Sequence, residues 1–143
     1  MSKPIPILLA SHGLFAQGAL DCAEMLMGKQ EDVHIISVLL DSNIETLRKE
    51  FLTSYKQLSG EKGIIILVDI LGGTPCNLAS ELVIEHDDVL LICGFNIPVL
   101  LEVLNNRESS LADIKTAIED AFPYSCFDVS DRLKASQQTS SEL

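Results

Sequence analysis

One histidine, His12, stands where an apolar run ends and a glycine begins. Segment 6–13 reads PILLASHG, so a strand-like run brings one reactive side chain to its own end, and small residues flank it. Small neighbours allow another molecule to approach the imidazole closely. An imidazole in this setting is a nucleophile, a metal ligand or a packed structural residue, and the surrounding residues decide which.

Asp69 and the loop after it suit an imidazole that attacks phosphorus. Such an imidazole is neutral at the attacking nitrogen, and a carboxylate on its other nitrogen fixes the tautomer and stabilises the developing positive charge. The loop Gly72-Gly73-Thr74 offers backbone N–H groups with little bulk, a hydroxyl and the start of a helix, whose dipole favours anions. The residues therefore predict a nucleophile, an orienting carboxylate and a phosphoryl-binding loop.

Apolar runs alternate with helical periodicity along the chain, which predicts an α/β fold. Continuous apolar strands indicate a doubly wound, mainly parallel open sheet of flavodoxin-like order 2-1-3-4, with helices on both faces and a short final strand. The predicted strands are 5–10, 33–39, 64–68, 89–93 and 124–129, and the predicted helices are 14–27, 43–58, 76–85, 98–105 and 110–121.

Sites in such sheets gather beyond the C-terminal ends of the strands. Segments 11–13, 69–75 and 94–98 all follow predicted strands, and strands one and three are neighbours in this order. We therefore expect His12 and Asp69 to stand side by side. Taken alone, His12 can be structural, Asp69 can be a turn or capping residue, and Gly72-Gly73 can be a plain turn. Their shared edge favours the functional interpretation.

Composition narrows the classes of function. The 143 residues suit one domain, which we expect over residues 1–130, followed by a polar tail over 131–143 that is disordered from Ala135. A net charge of −11 argues against nucleic acid as a partner and is compatible with a protein that has a basic face. The apolar share of 47% suits a buried sheet and a subunit interface. No apolar run reaches the roughly 18 residues of a membrane span, and no secretory signal is evident, so a cytoplasmic location is expected.

The other residues with reactive side chains predict no metal or cofactor. His34 lies within a predicted strand and His86 in a polar turn, and neither has metal-ligand spacing to His12. The four cysteines are scattered without metal or redox spacing, which indicates reduced thiols. The chain has no dinucleotide or Walker motif, so a bound nucleotide is not expected.

At these residues the chain resembles the enzyme IIA domain of the phosphotransferase system (PTS), mannose class, which includes the mannose, fructose and sorbose families. The pattern is SHG at 11–13, DILGGTPCN at 69–77 and GFNIP at 94–98. The resemblance covers roughly residues 5–122. The three segments together are specific for this family, although no single segment is.

The resemblance implies a cytoplasmic phosphoryl carrier of the bacterial sugar PTS. His12 would accept phosphate from the histidine-containing phosphocarrier protein and pass it to an enzyme IIB component, which serves the membrane IIC/IID permease indirectly. It further implies a homodimer. The implied site roles are orientation of His12 by Asp69, a phosphoryl hydrogen bond from Thr74, phosphoryl binding by Gly13, Gly72 and Gly73, and a partner-binding rim at Asn96 and Pro98.

Small departures from the family pattern lie beside the histidine. Leu40-Asp41-Ser42-Asn43 stands where many relatives carry a Pro-Gly-Glu-like turn, Cys76 replaces a common aromatic, and Asn96-Ile97-Pro98-Val99 replaces a more usual Asn-Leu-Pro-Met. These departures bear on the class of sugar and on partner fit more than on the chemistry.

Three alternatives remain from the sequence. The phosphocarrier subunit of a dihydroxyacetone kinase system has a similar fold and N-terminal histidine, although the loop at 72–77 and Asn96-x-Pro98 favour the sugar-transport family. A histidine phosphatase normally carries arginine just before His-Gly, where this chain has Ser11. The third alternative is a non-catalytic regulator on the same fold, with His12 phosphorylated or idle.

Overall fold

The structure is a computed structural model that describes the backbone of residues 3–141 and the side chains of residues 3–137. Strands and helices alternate through the first two thirds of the chain, and helices follow. The elements are β1 (Ile7–His12), α1 (Phe15–Met27), β2 (Val33–Val38), α2 (Ile44–Leu58), β3 (Ile64–Val68), α3 (Thr74–Glu85), β4 (Val89–Cys93), α4 (Ile97–Asn105), α5 (Leu111–Ala121), a 3-10 helix (Phe122–Tyr124) and α6 (Val129–Ser141).

The four strands form one parallel sheet in the order β2-β1-β3-β4, which confirms the predicted class and strand order. The register of the two central strands pairs Ala10 with Val68. Because these strands are parallel, their C-terminal ends meet at one edge of the sheet. Asp69, the first residue after β3, therefore lies beside the end of β1, where His12 stands.

Both faces of the central strands are covered, so the site is built on a rigid base. All five residues of β3 are buried, as are the first five of β1. Alternate residues pack on opposite sides: Ile7 and Leu9 lie in a core with α1, α4 and α5, while Leu8 and Ala10 lie in a core with α2 and α3. Full burial of each large side chain stabilises the fold by about 1.5–3 kcal/mol.

The first strand ends later than predicted. It runs to His12 instead of ending at Ala10, because β2 pairs with it as far as His12 opposite Val38. His12 is therefore a strand residue with a fixed backbone, and the turn begins after it. The helix after the glycine-rich loop also begins earlier than predicted, at Thr74 instead of Cys76.

The predicted final strand over 124–129 was wrong. Residues Phe122–Tyr124 form a 3-10 helix with Pro123 in its first turn, and the backbone N–H and the hydroxyl of Ser125 both donate to the Phe122 carbonyl, at 3.0 and 2.7 Å. These bonds turn the chain where a strand requires it to be extended.

The prediction of a disordered tail was wrong as far as Ser141, because α6 covers residues Val129–Ser141. Asp128 Oδ1 accepts hydrogen bonds from the N–H groups of Ser130 and Asp131, at 2.7 and 3.3 Å, which is the geometry of a helix cap. The last two positions of the predicted tail, 142 and 143, lie outside the described residues.

None of the helices within residues 3–141 has the length and hydropathy that a membrane span requires.

Candidate functional site

Asp69 makes two contacts with His12 through a single oxygen. Asp69 Oδ2 accepts a hydrogen bond from the His12 backbone N–H at 2.9 Å and lies 2.9 Å from His12 Nδ1. The other oxygen, Oδ1, accepts from the N–H of Ile70 at 3.0 Å. The carboxylate is thus fixed to its own loop and holds both the backbone and the ring of His12. This confirms that the two residues stand side by side.

The surroundings of Asp69 keep its carboxyl group ionised. Burial raises the pKa of Asp69, but hydrogen bonds from the His12 backbone, the His12 ring and the Ile70 backbone lower it by more, so the net shift is downward. An ionised carboxylate only accepts hydrogen bonds. His12 Nδ1 therefore carries the proton in this pair.

With the proton on Nδ1, the neutral imidazole has its free lone pair on Nε2. The His12 side chain is 47% exposed, whereas that of Asp69 is only 15% exposed. The aspartate is therefore shielded behind the ring, and the ring remains accessible from solvent. A nucleophilic nitrogen that is oriented from behind and open in front is the arrangement that group transfer to histidine needs.

Gly73 packs closely against the His12 ring. A Cβ on Gly73 would lie 2.6 Å from His12 Cε1 and 3.2 Å from Nε2. Gly73 has a φ of −84°, which any residue can adopt, so close approach to the ring is what requires glycine here. Nε2 of His12 therefore lies beside the start of α3.

The N-terminus of α3 is free of a side-chain cap. Gly73 is its capping residue, without a side-chain hydrogen bond, Thr74 is its first residue, and Pro75 occupies the first turn. Asn77 Nδ2 donates to the Gly72 carbonyl at 3.4 Å and helps to hold the loop. An uncapped helix N-terminus next to Nε2 favours an anion at that position.

Asn96 and Pro98 have roles at the start of α4. Asn96 Oδ1 accepts from the Val99 N–H at 2.9 Å, which caps the helix, and Asn96 Nδ2 donates to Ser125 Oγ at 3.0 Å. Pro98 is exposed in the first turn. The Gly94 N–H donates to the Val68 carbonyl at 2.9 Å, so this loop lies at the same sheet edge as Asp69. The Asn96 side chain makes its hydrogen bonds within its own loop and with Ser125.

An apolar rim surrounds His12, and the sequence interpretation did not anticipate it. His12 and Gly13 line a shallow cleft with Val38, Leu39 and Leu40. The rim consists of exposed apolar side chains in the loops that carry the site and at the first residue of α1, and its members are Leu14, Phe15, Leu39, Leu40, Ile70 and Leu71. The available signal was the apolar character of segments 39–40 and 70–71, which form loops between elements. Exposed apolar surface of this kind is typical of an interaction site.

Ser11 makes a buried contact that the sequence did not predict. Its side chain is fully buried, and Oγ accepts a hydrogen bond from the Ala16 N–H at 2.8 Å. In the sequence, Ser11 was informative only because it stands where a histidine phosphatase normally carries arginine.

The remaining histidines have contacts of their own. His34 Nδ1 lies 3.3 Å from Ser54 Oγ, and the ring of His86 stacks on Tyr55 at a centroid distance of 4.2 Å. Within the described part of the chain, no three histidine, cysteine, aspartate or glutamate side chains are grouped as a metal site requires.

The sequence also matches a known family. The model of the EIIA-man family, described as the PTS system fructose IIA component, matches residues 6–121. The chain belongs to this family. It is a mannose-class EIIA component of the PTS, the class implied by the three sequence segments.

Individual relatives agree with this assignment. The PTS system mannose-specific EIIAB component of Escherichia coli K12 is 39% identical over 104 residues, which cover 73% of this chain and 32% of that protein. The PTS system fructose-specific EIIA component of Bacillus subtilis 168 is 27% identical, over 96% of this chain and 97% of that protein. The chain thus spans about a third of the EIIAB component and nearly all of the EIIA component.

A solved structure matches at the level of the fold and the sequence. The crystal structure of the PTS IIA protein associated with the fucose utilization operon of Streptococcus pneumoniae has a TM-score of 0.83 and 32% identity, and the match covers 92% of this chain and 98% of that one.

Proposed function

We propose that this EIIA component carries a phosphoryl group on His12, which it receives from the histidine-containing phosphocarrier protein and passes to an enzyme IIB component during sugar uptake. The observation that carries the proposal is the 2.9 Å contact between His12 Nδ1 and Asp69 Oδ2, on a ring that is 47% exposed. In the neutral ring, this contact places the free lone pair on Nε2, on a side chain that a phosphorylated partner can reach.

Transfer to His12 requires no net movement of protons in this arrangement. The Nε2 lone pair forms a bond to phosphorus as the phosphorus–nitrogen bond to the donor histidine breaks, and the donor nitrogen keeps that electron pair. The His12 ring becomes a cation, which the ionised Asp69 carboxylate stabilises through Nδ1–H. The same steps in reverse pass the group to the next protein.

The loop beside the ring would hold the transferred group. Gly72 and Gly73 leave space for phosphoryl oxygens, the N-terminus of α3 favours their charge, and the Thr74 hydroxyl offers a further donor. Gly13, the residue after His12, also leaves open space, since a Cβ there would meet nothing within 4 Å.

The apolar rim supports a protein as the reaction partner. Leu40 is fully exposed and Leu71 is 79% exposed, both in loops at the sheet edge that carries His12. A flat apolar surface around a reactive group suits a complementary protein surface better than a small metabolite. The net charge of −11 adds attraction to a partner with a basic face.

We further propose a cytoplasmic homodimer whose domain spans residues 1–130 and which serves the membrane IIC/IID permease through the IIB component. Exposed aromatic side chains in the segment between α5 and α6 support self-association. Phe122, Tyr124 and Phe127 are 58%, 71% and 47% exposed. Burial of such a patch against a second copy would remove it from water.

A reconstituted relay tests the proposed function. The protein is incubated with labelled phosphoenolpyruvate, enzyme I and the phosphocarrier protein, and acid-labile phosphohistidine is measured. The wild type, His34→Ala and His86→Ala should be labelled, and His12→Ala should not. Label on His12→Ala, or none on the wild type, would contradict the proposal. Rapid loss of the label to water would indicate a hydrolase instead.

A further inference from the structure

We propose that Ser11 is a positioning residue for phosphoryl transfer, which acts by fixing the strand-to-helix turn that carries His12. The inference rests on the proposed function of His12, and it adds a residue that touches neither the imidazole nor the phosphoryl group. Its basis is a single buried hydrogen bond, from the Ala16 N–H to Ser11 Oγ at 2.8 Å.

The alternation of β1 places Ser11 and His12 on opposite faces of the sheet. Ser11 follows Ile7 and Leu9, which pack with α1, and His12 follows Leu8 and Ala10, which pack with α3. The Ser11 side chain is 0% exposed on the α1 side, while the His12 ring lies against Gly73 on the other side. The two side chains therefore anchor the same strand end to two different helices.

Helix α1 lacks the usual cap at its own N-terminus. Its capping residue is Leu14, whose side chain cannot accept a hydrogen bond, and the Ser11 hydroxyl takes the Ala16 N–H in its place. Without this hydroxyl, the N–H of Ala16, a fully buried residue, would lose its partner. The turn between residues 12 and 15 would then shift to reach another acceptor or water.

That turn is held at three points, and Ser11 provides one of them. The His12 N–H donates to Asp69 Oδ2 at 2.9 Å, the Gly13 N–H donates to the Val38 carbonyl at 2.8 Å, and the Ala16 N–H donates to Ser11 Oγ. The first bond fixes the turn to the loop after β3, the second fixes it to β2, and the third fixes it to α1. Loss of the bond between Ala16 and Ser11 lets the turn move relative to Asp69 and Gly73. The His12 ring lies between these two residues.

The test compares Ser11→Ala and Ser11→Thr with a matched control, Ser110→Ala. Ser110 Oγ caps α5 by accepting from the Asp113 N–H at 3.1 Å, so it is also a serine cap, on an element that does not carry the site. Transfer is measured in the reconstituted relay well below each melting temperature, with kcat and KM for the phosphocarrier protein determined separately.

We expect Ser11→Ala to lower kcat by about tenfold to a hundredfold and to leave KM within about twofold, since a misplacement of about 1 Å has effects of this size. Ser11→Thr, which keeps the hydroxyl, should stay close to the wild type. Ser110→Ala should lose thermal stability with normal kcat. The Nδ1–H resonance of His12 should broaden or shift in Ser11→Ala only.

An unchanged kcat in Ser11→Ala would overturn the inference while leaving the function of His12 intact. Equal slowing of Ser11→Ala and Ser11→Thr would also overturn it, because the effect would then come from packing and not from the hydroxyl. If Ser110→Ala lowered kcat as much as Ser11→Ala does, the slowing would be explained by a general loss of stability, and the inference would again be overturned. An unlabelled wild type would instead contradict the proposed function itself.

Discussion

Asp69 Oδ2 lies 2.9 Å from both the backbone nitrogen and the ring Nδ1 of His12. One carboxylate oxygen thereby ties the orientation of the imidazole to the position of the strand that carries it. Since the same carboxylate is fixed by the Ile70 N–H, the strand end and the neighbouring loop form one unit. The reactivity that we propose for His12 depends on this unit.

Asp69→Asn should slow phosphoryl transfer by about a hundredfold or more, as loss of the charge beside a catalytic histidine does elsewhere. The amide keeps the size of the side chain but neither stabilises the cationic ring nor fixes the tautomer. Transfer rates are measured by rapid quench, and folding is checked by circular dichroism.

The matched control for Asp69→Asn is Asp88→Asn. The Asp88 carboxylate accepts from the Tyr55 hydroxyl at 2.7 Å and from the Ser59 hydroxyl at 3.0 Å, and it lies at the opposite end of the sheet, just before β4. The Asp88→Asn variant should change the stability of the protein and leave the rate of phosphoryl transfer unaffected. Normal transfer in Asp69→Asn would remove the carboxylate from the mechanism.

The stability that Asp69 contributes should depend on pH. Its pKa is lower in the folded protein than the ordinary value of 3.8, so its ionised form stabilises the fold above that value. This stabilisation is lost as the pH falls through the folded pKa. The difference in unfolding free energy between the wild type and Asp69→Asn should therefore be full at neutral pH and shrink in acid. Urea titrations from neutral to acidic pH measure it, and a difference that grows in acid would contradict the assignment.

Gly73→Ala should impair transfer more than it impairs folding. The new methyl group would lie 2.6 Å from His12 Cε1, so the ring has to leave its position, and transfer should fall by about tenfold to a hundredfold. The backbone φ of −84° tolerates alanine, so the melting temperature should change little.

Gly18→Ala is the control for Gly73→Ala. Gly18 lies within α1, and a Cβ there meets nothing within 4 Å. Alanine in a helix interior should stabilise the protein by about 0.5–1 kcal/mol with unchanged transfer. Full transfer activity in Gly73→Ala would mean that the ring does not depend on this contact.

Leu40→Ser should weaken partner docking and leave the chemistry intact. The Leu40 side chain is fully exposed on the rim, and removal of its apolar surface should raise KM for the phosphocarrier protein by about threefold to tenfold. The comparison is Ile84→Ser, a residue that is 84% exposed near the C-terminal end of α3, away from the site. A similar rise in KM for both variants would show that the rim has no special role.

The sheet and the pairing of His12 with Asp69 were predictable because they depend on strong local signals. A continuous apolar run such as 64–68 forms a buried strand wherever the chain alternates strands and helices, and strand order then brings the ends of β1 and β3 together. The extension of β1 to His12 was not predictable, since it depends on the register of pairing with β2, which sets His12 opposite Val38.

Errors arose where short-range hydrogen bonds outweighed the sequence pattern. The segment after Ala121 has the composition of a strand, but Pro123 and the bonds from Ser125 close it into a turn. The polar segment after Asp128 lacks an apolar stripe, yet it forms α6, which has a capping carboxylate and good helix formers such as Leu133 and Ala135. The role of Ser11 depends on a contact with Ala16 across a turn, which no periodicity reveals.

The most direct test of the account is the identity of the phosphorylated nitrogen. Long-range proton–nitrogen NMR of the 15N-labelled protein, phosphorylated through the relay, distinguishes phosphate on Nε2 from phosphate on Nδ1 of His12. The contact between Nδ1 and Asp69 predicts phosphate on Nε2, with the Nδ1 proton retained. Phosphate on Nδ1, or on His34 or His86, would contradict the central claim.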